Sequence, residues 1–499
     1  MSLLRSMPLV AAAGVLAAAA PAAAPAAPPW SEPEPVAGGY LARWEPGFGG
    51  IFLRTVPGQL GFTQGGTGFT ILGRSAGGLG YARFSGSRNA FGTVTASTFG
   101  GIEPFEMALY GRSGVILGGA AARPSDRRAP SNGTLLDAAV TRGNVTGTYS
   151  TRQILVRGVL LQPDRRFGQP AVVTAVAANP AGDAAVTVSY PMLSRKRTTV
   201  VGFRNRLFIR PRGGTTFQRK LDYGRQTVGS SPSALAINGP GDVLLAWDDR
   251  KAVRTRLISS EGKIGAEQRL GTGGSPWIGA PSTRIVASID STRRMLVAWL
   301  AQRAGSSGNA GGPGIVAAAV ASPGKSFGRQ QTLEANLPRG DGTLISGTAV
   351  QAAILRDRSV VTWTGAENRQ FVVRTADIVS GRAGASTRLS AAGAQSELQG
   401  LAVGPRGGAL VVWRSDTGTP GHYASARAAG TSAWGATETI TSATETINSA
   451  QEYAPPTGAL VASSPVSGQA LVLISDPIPT DVPPPTEPFP VRLSVRAAP

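Results

Sequence analysis

The chain is 499 residues long, with 66 Gly, 37 Pro and a formal net charge of +20 from 49 Lys and Arg against 29 Asp and Glu. It contains no cysteine, which excludes disulfides and thiolate metal sites, and its single histidine excludes a multi-histidine metal centre. The positive field attracts acidic polymers or surfaces, although Ala, Gly, Arg and Pro rise together in the manner of a compositional bias.

At the N-terminus, Arg5 supplies a positive segment and residues 9–20 (LVAAAGVLAAAA) form a short apolar core. Small residues from Ala20 to Ala27 then suit a signal peptidase. The apolar run is far shorter than the roughly 20 residues needed to span a bilayer. Residues 1–27 are therefore expected to be a signal peptide, and the mature chain to be secreted or extracellular, with the periplasm as the other compartment. Residues 28–40 are Pro-rich and without apolar period, as in an extended linker. A single domain is expected over 41–499. Its first part carries short, Gly-bounded strands at Gly50–Thr55, Phe69–Gly73, Leu79–Phe84 and Phe91–Thr98.

A regular repeat begins near Glu106 and is clearest from Ser233 to Leu270. Strand one is Ala234–Asn238, followed by the turn signal Gly239-Pro240-Gly241-Asp242. Strand two is Val243–Trp247, strand three Ala252–Ile258, and Glu261-Gly262-Lys263 turns into strand four, Ile264–Leu270. The second strand closes on Tyr190, Trp247, Trp299, Trp363 and Trp413 in successive units. The fourth opens at Phe167-Gly168, Ile264-Gly265, Phe327-Gly328, Ala383-Gly384 and Trp434-Gly435, with Phe217-Gln218 as an irregular copy. Second strands apolar on both faces have no solvent side, as in the stacked blades of a propeller.

The fold expected is all-β, a β-propeller of four-stranded blades. Units starting near 105, 173, 233, 284, 349, 399 and 459 make seven blades, or eight if residues 50–99 form their own. The last unit ends after its third strand, Val491–Val495, and Phe91–Thr95 is expected to supply the fourth, so that both termini close the ring. Three segments break the period: Ala121–Ser150, Ala301–Gly314 and the proline-rich Asp476–Pro490.

The hairpin Val320-Ala321-Ser322-Pro323-Gly324-Lys325-Ser326-Phe327 resembles the turn of the sialidase-type bacterial neuraminidase repeat. In that family's Asp box, Ser-x-Asp-x-Gly-x-Thr precedes an aromatic; Gly324, Ser326 and Phe327 fall in step, while Ser322 stands at the Asp position. The resemblance is at the level of the repeat and implies a fold, not an activity. Sialidase-like catalysis would need an early Phe/Tyr-Arg-Ile-Pro motif that this chain lacks; Phe208-Ile209-Arg210-Pro211 is a scrambled version deep in the chain.

No catalytic or metal constellation stands out, and no cofactor is expected. His422, beside Gly421 and Tyr423, reads as a surface loop residue. Asp248-Asp249 is a bare cation candidate, and Arg339-Gly340-Asp341 a three-residue adhesion match. The densest feature is a basic strip containing Arg195, Lys196, Arg197, Arg204, Arg206, Arg210 and Arg212 and running on to Lys220, with Phe203, Phe208 and Phe217 interleaved as inward-facing residues. The strip suits an anionic polysaccharide or another envelope component; export disfavours nucleic acid. The functional expectation is a monomeric, exported, non-catalytic propeller that binds a ligand or partner at the mouth of its ring. The alternatives are an extracellular glycosidase or lyase of sialidase-like fold, and a basic envelope-associated protein that binds anionic polysaccharide.

Overall fold

Apolar runs such as Val243–Trp247 cannot be half-solvated, and all five residues of that run are buried, covered on both faces of their sheet. Each buried Val or Leu side chain stabilises by about 1.5–3 kcal/mol, so the second strands anchor the fold. The computed structural model describes residues 30–496 except 41, 48–49, 56–58, 75–77, 124–134, 161–167, 170, 197–198, 227–232, 250, 274–284, 303–313, 338–349, 369, 418, 420, 443–458 and 476–489. The signal peptide expected over 1–27 thus lies outside the described residues, as do most of the 301–314 and 476–490 segments. All regular elements among the described residues are strands.

Six antiparallel sheets hold four or five strands each, and each runs in chain order. Their first strands are Glu103–Tyr110, Val172–Ala178, Ser233–Ile237, Ile285–Ile289, Val350–Ile354 and Ser396–Val403. A seventh sheet has nine strands and contains two four-strand runs. One comprises Ala459–Ser463, Ala470–Ser475, Pro490–Arg496 and Glu34–Tyr40; the other is built on Gln59–Phe62, Gly68–Arg74 and Leu79–Ser85. The architecture is a repeat of similar antiparallel sheets, consistent with blades. First strands pack side by side in chain order, from Gln59–Phe62 through Ser396–Val403 to Ala459–Ser463, and the last also packs on the first.

Four second-strand tryptophans, Trp247, Trp299, Trp363 and Trp413, are each 1% exposed. Trp299 packs among Leu244, Ala246 and Leu270 of the preceding sheet and donates Nε1–H to the Thr272 carbonyl at 3.1 Å. Trp363 repeats this against Leu296, Ala298 and Leu337, with Nε1–H to Glu334. The fourth-strand glycines mark re-entry onto the third strand: Gly265, Gly328, Gly384 and Gly435 donate to Leu257, Val320, Asp377 and Ala426.

Four expectations need correction. The strand beside Pro490–Arg496 is Glu34–Tyr40, with Glu34 opposite Leu493 and Pro35 opposite Arg492, and not Phe91–Thr95. Ala90–Phe91 instead closes a local hairpin on Leu79–Ser85, Phe91 opposite Phe84 and the rings 5.6 Å apart. That pairing closes only a short loop, at small entropic cost. The linker expected over 28–40 therefore contains a strand, its Val36 buried and Ser31 bonded to Val495. Gly168, expected to open a fourth strand, pairs with Leu160 in a separate two-stranded ribbon, while the fourth strand of the sheet that begins with Glu103–Tyr110 is Gln153–Val156. Much of the 121–150 segment, read as an insertion, is the third strand Leu135–Asn144 and its turn.

Candidate ligand-binding cleft

The basic strip is not one patch. Arg195 and Lys196 lie exposed before Val200–Arg210, and Arg212 lies exposed after it. Eleven strand residues separate the two ends, roughly 35 Å at the rise of a β-strand. Arg197 lies outside the described residues. Arg206 donates from Nε and Nη2 to Asp222 at 2.6 and 3.1 Å, its guanidinium 4.9 Å over the Tyr190 ring. Arg219 and Arg204 approach the same carboxylate at 2.7 and 3.8 Å. Burial alone would raise the Asp222 carboxyl; the hydrogen bond and charge of Arg206, with the other arginines, hold it below the usual range. Arg210 is buried and donates to the carbonyls of Gly182 and Gly214 at 2.7 and 3.2 Å. Phe208 and Phe217 point inward and are buried.

His422 is not on the surface. The strand Gly421–Arg427 begins immediately before it and turns it inward, leaving it 6% exposed. It stands in a row across one sheet, opposite Arg414 and Thr441, with Glu397 opposite Arg414. Nδ1 lies 3.2 Å from Thr441 Oγ1, and Nε2 is buried without a hydrogen-bond partner. Burial, then the charge of Arg414, pushes the imidazole down to about 3, so it is neutral. Asp249 is committed to its own turn and to Arg254, accepting from the Lys251 and Ala252 amides at 3.0 and 2.7 Å. Arg339-Gly340-Asp341 lies outside the described residues.

A cleft opens where the repeat changes its residues. Register aligns Leu244–Leu257, Leu296–Val320 and Leu410–Ala426 as equivalent cross-strand pairs, each facing the following sheet. Ala426 therefore stands where other units place Leu257 and Val320. Arg496 stands at the register position of Ile258, which Arg210 and Arg427 also fill in their sheets. Arg496 is buried and donates from Nε and Nη2 to Glu438 at 2.9 Å each, with Trp30 Nε1–H on the same carboxylate at 2.8 Å. Truncation on one side and a fixed ion pair on the other leave a cleft of about 320 Å³ between the 396–442 sheet and the 459–496 run. Leu410, Ala426, Ala428 and Val466 supply apolar walls, Arg496 reaches its lining, and Arg406 stands exposed at the turn. No carboxylate, tyrosine or histidine is among its described lining residues.

The same end of the sheets carries the hairpin turns from first to second strands, and these are hooked together. Asn179 Nδ2 donates to the Asn238 carbonyl at 3.0 Å, and Asn238 Nδ2 to the Asp290 carbonyl at 3.2 Å. Gly241 in the Asn238–Asp242 turn has φ +99°, a left-handed conformation that suits glycine. Asp242 is buried, so desolvation would raise its carboxyl, but hydrogen bonds from Arg293 and Asn238 hold it below the usual range. Two seams along, Asp377 is bound by Arg427 at 2.6 Å and Arg358 at 3.1 Å.

No protein-family model matches the chain, and no curated protein matches it. Solved structures with some likeness include an ulvan lyase bound to -[GlcA(1-4)Rha3S]- (8% identity, TM-score 0.40, covering 79% of this chain and 95% of that one). Others are a puromycin-hydrolysing peptidase of Mycobacterium tuberculosis (12%, 0.38, 92% and 63%) and the six-bladed propeller lectin of Aleuria aurantia (12%, 0.32, 71% and 99%). These likenesses are distant and reach only repeat-built β-sheet folds, propeller lectins among them.

Proposed function

We propose that the chain is an exported, non-catalytic β-propeller whose ring closes through strands from both ends, and that it binds its ligand in the seam cleft beside Arg406. The cleft carries this reading: it exists because Ala426 replaces the larger residue of the repeat, and it combines apolar walls with one exposed arginine. A pocket of that character suits a compact ligand with an apolar face and an anionic group, which arginine recognises in a planar, bidentate manner. The packing of Ala459–Ser463 on Gln59–Phe62 and the pairing of Glu34–Tyr40 with Pro490–Arg496 support ring closure into eight blades. A glycosidase or lyase would need carboxylates or a tyrosine facing the ligand. The carboxylate behind the lining residue Arg496, Glu438, is instead held by Arg496 and Trp30.

Ala426→Leu restores the residue type of the repeat and fills the cleft. It is expected to abolish binding of trigalacturonate, measured by calorimetry, while thermal stability holds or rises. Unchanged binding in a well-folded Ala426→Leu protein would remove the cleft from this role.

A further inference from the structure

We infer that the ligand of this cleft is an acidic polysaccharide, whose chain runs from the cleft along an arc of cationic turns on the same face; this rests on the binding reading above. Arg294, Arg356 and Arg406 occupy the first hairpin turns of three successive sheets, and these turns abut. Arg294 Nη2 donates to the Arg356 carbonyl at 3.3 Å, and a Cβ placed on Gly407 would lie 3.8 Å from Arg356 Cβ. Farther out on the same face, Lys325 and Arg382 occupy the turns before the fourth strands of the first two of these sheets. A Cβ on Gly381 would meet Val320 at 3.7 Å, so these turns too are neighbours.

The face is cationic because its acids are already used. Asp290 is paired with Arg294, Asp357 with Arg358, and Asp377 with Arg358 and Arg427. Lys325, Arg356, Arg382 and Arg406 are exposed, and among the described residues none meets a carboxylate within ion-pair distance. Four unpaired cations spread over three sheets match repeated anionic groups better than a single small anion. A saccharide is favoured over a single-stranded nucleic acid because the aromatics of these turns are only half exposed and already engaged, Phe327 on the core and Trp434 under the Arg427 guanidinium, which leaves no free face for base stacking among the described residues. The exposed large apolar residues among those described are aliphatic, and two of them, Val379 and Val466, flank the arc and the cleft, where a sugar's C–H face can rest.

The test titrates mono-, tri- and decagalacturonate, a heparin fragment, neutral dextran and single-stranded DNA into the full chain at low and physiological salt. Wild type should bind the decamer more tightly than the trimer, lose affinity steeply with salt, and ignore dextran. Lys325→Ala/Arg356→Ala/Arg382→Ala removes only exposed, unpaired side chains. It should weaken decamer binding about tenfold or more and leave the trimer unchanged. Tighter binding of heparin than of the decamer supports the inference with sulfate as the recognised anion. Decamer affinity unaffected by the triple variant but lost in Ala426→Leu overturns the arc and leaves the cleft intact. Loss in the triple variant with none in Ala426→Leu supports the arc and overturns the cleft. Preference for DNA over every saccharide overturns the polysaccharide class.

Discussion

Two ionisable residues, the half-buried Glu106 and the buried His422, set opposite responses to pH. Burial pushes the Glu106 carboxyl up to about 7, and it pushes the His422 imidazole down to about 3. Between about 4.5 and 7 the folded state holds a proton on Glu106 that the unfolded chain releases, so stability falls as pH rises, by about 3 kcal/mol across the window. Between about 3 and 6.5 the unfolded chain holds a proton on His422 that the folded state refuses. Stability there falls as pH falls, on the order of 2 kcal/mol by pH 5. The two slopes oppose each other near pH 5–6. Urea unfolding should therefore show His422→Gln losing stability as pH rises from 5 to 7, and Glu106→Gln losing it as pH falls over the same range. Parallel profiles for both variants and wild type would refute these assignments. The buried state of His422 was not legible in the sequence, because Gly421 looks like loop and only the strand pairing turns the ring inward.

At the scale of elements, apolar runs closing on tryptophan located the second strands, and their regular spacing located most first strands. Both signals come from packing on two faces, which local composition records. Glu34–Tyr40 was hidden because EPVAGGY is rich in the residues that break strands, and its pairing partner lies more than 450 residues away. Asp222 was missed as the centre of the basic strip because it follows the last cation by two residues, and only cross-strand register brings it to Arg206. The significance of Ala426 and Arg496 likewise appears only when equivalent positions are aligned by register. The N-terminal strand has a testable role. Deleting residues 1–40 leaves one side of Pro490–Arg496 unpaired, a template for edge-to-edge association, whereas deleting 1–29 spares it. The longer deletion should lower the melting temperature by several degrees and raise light scattering; equal behaviour of the two truncations would show that Glu34–Tyr40 contributes little.

Across the whole molecule, the proposed binding site lies where the repeat is broken. Uniform sheets use leucine, valine and tryptophan across their seams, and charged side chains are paired off against one another over much of the surface. The seam between the 396–442 sheet and the 459–496 run departs from this with Ala426, beside an Arg496–Glu438 pair like the Arg427–Asp377 pair of the preceding seam, and the cationic turns lead to it. The net charge was legible from composition alone, but its location was not. The strip from Arg195 onward is split between opposite ends of a strand and partly neutralised, whereas the unpaired cations lie on turns scattered through the sequence. A crystal structure of the full chain with decagalacturonate tests this most directly. The account predicts a carboxylate on Arg406, a sugar ring against Ala426 and Val466, and further residues of the polymer toward Arg356. Density confined to the opposite end of the sheets, around Glu397 and His422, would contradict it.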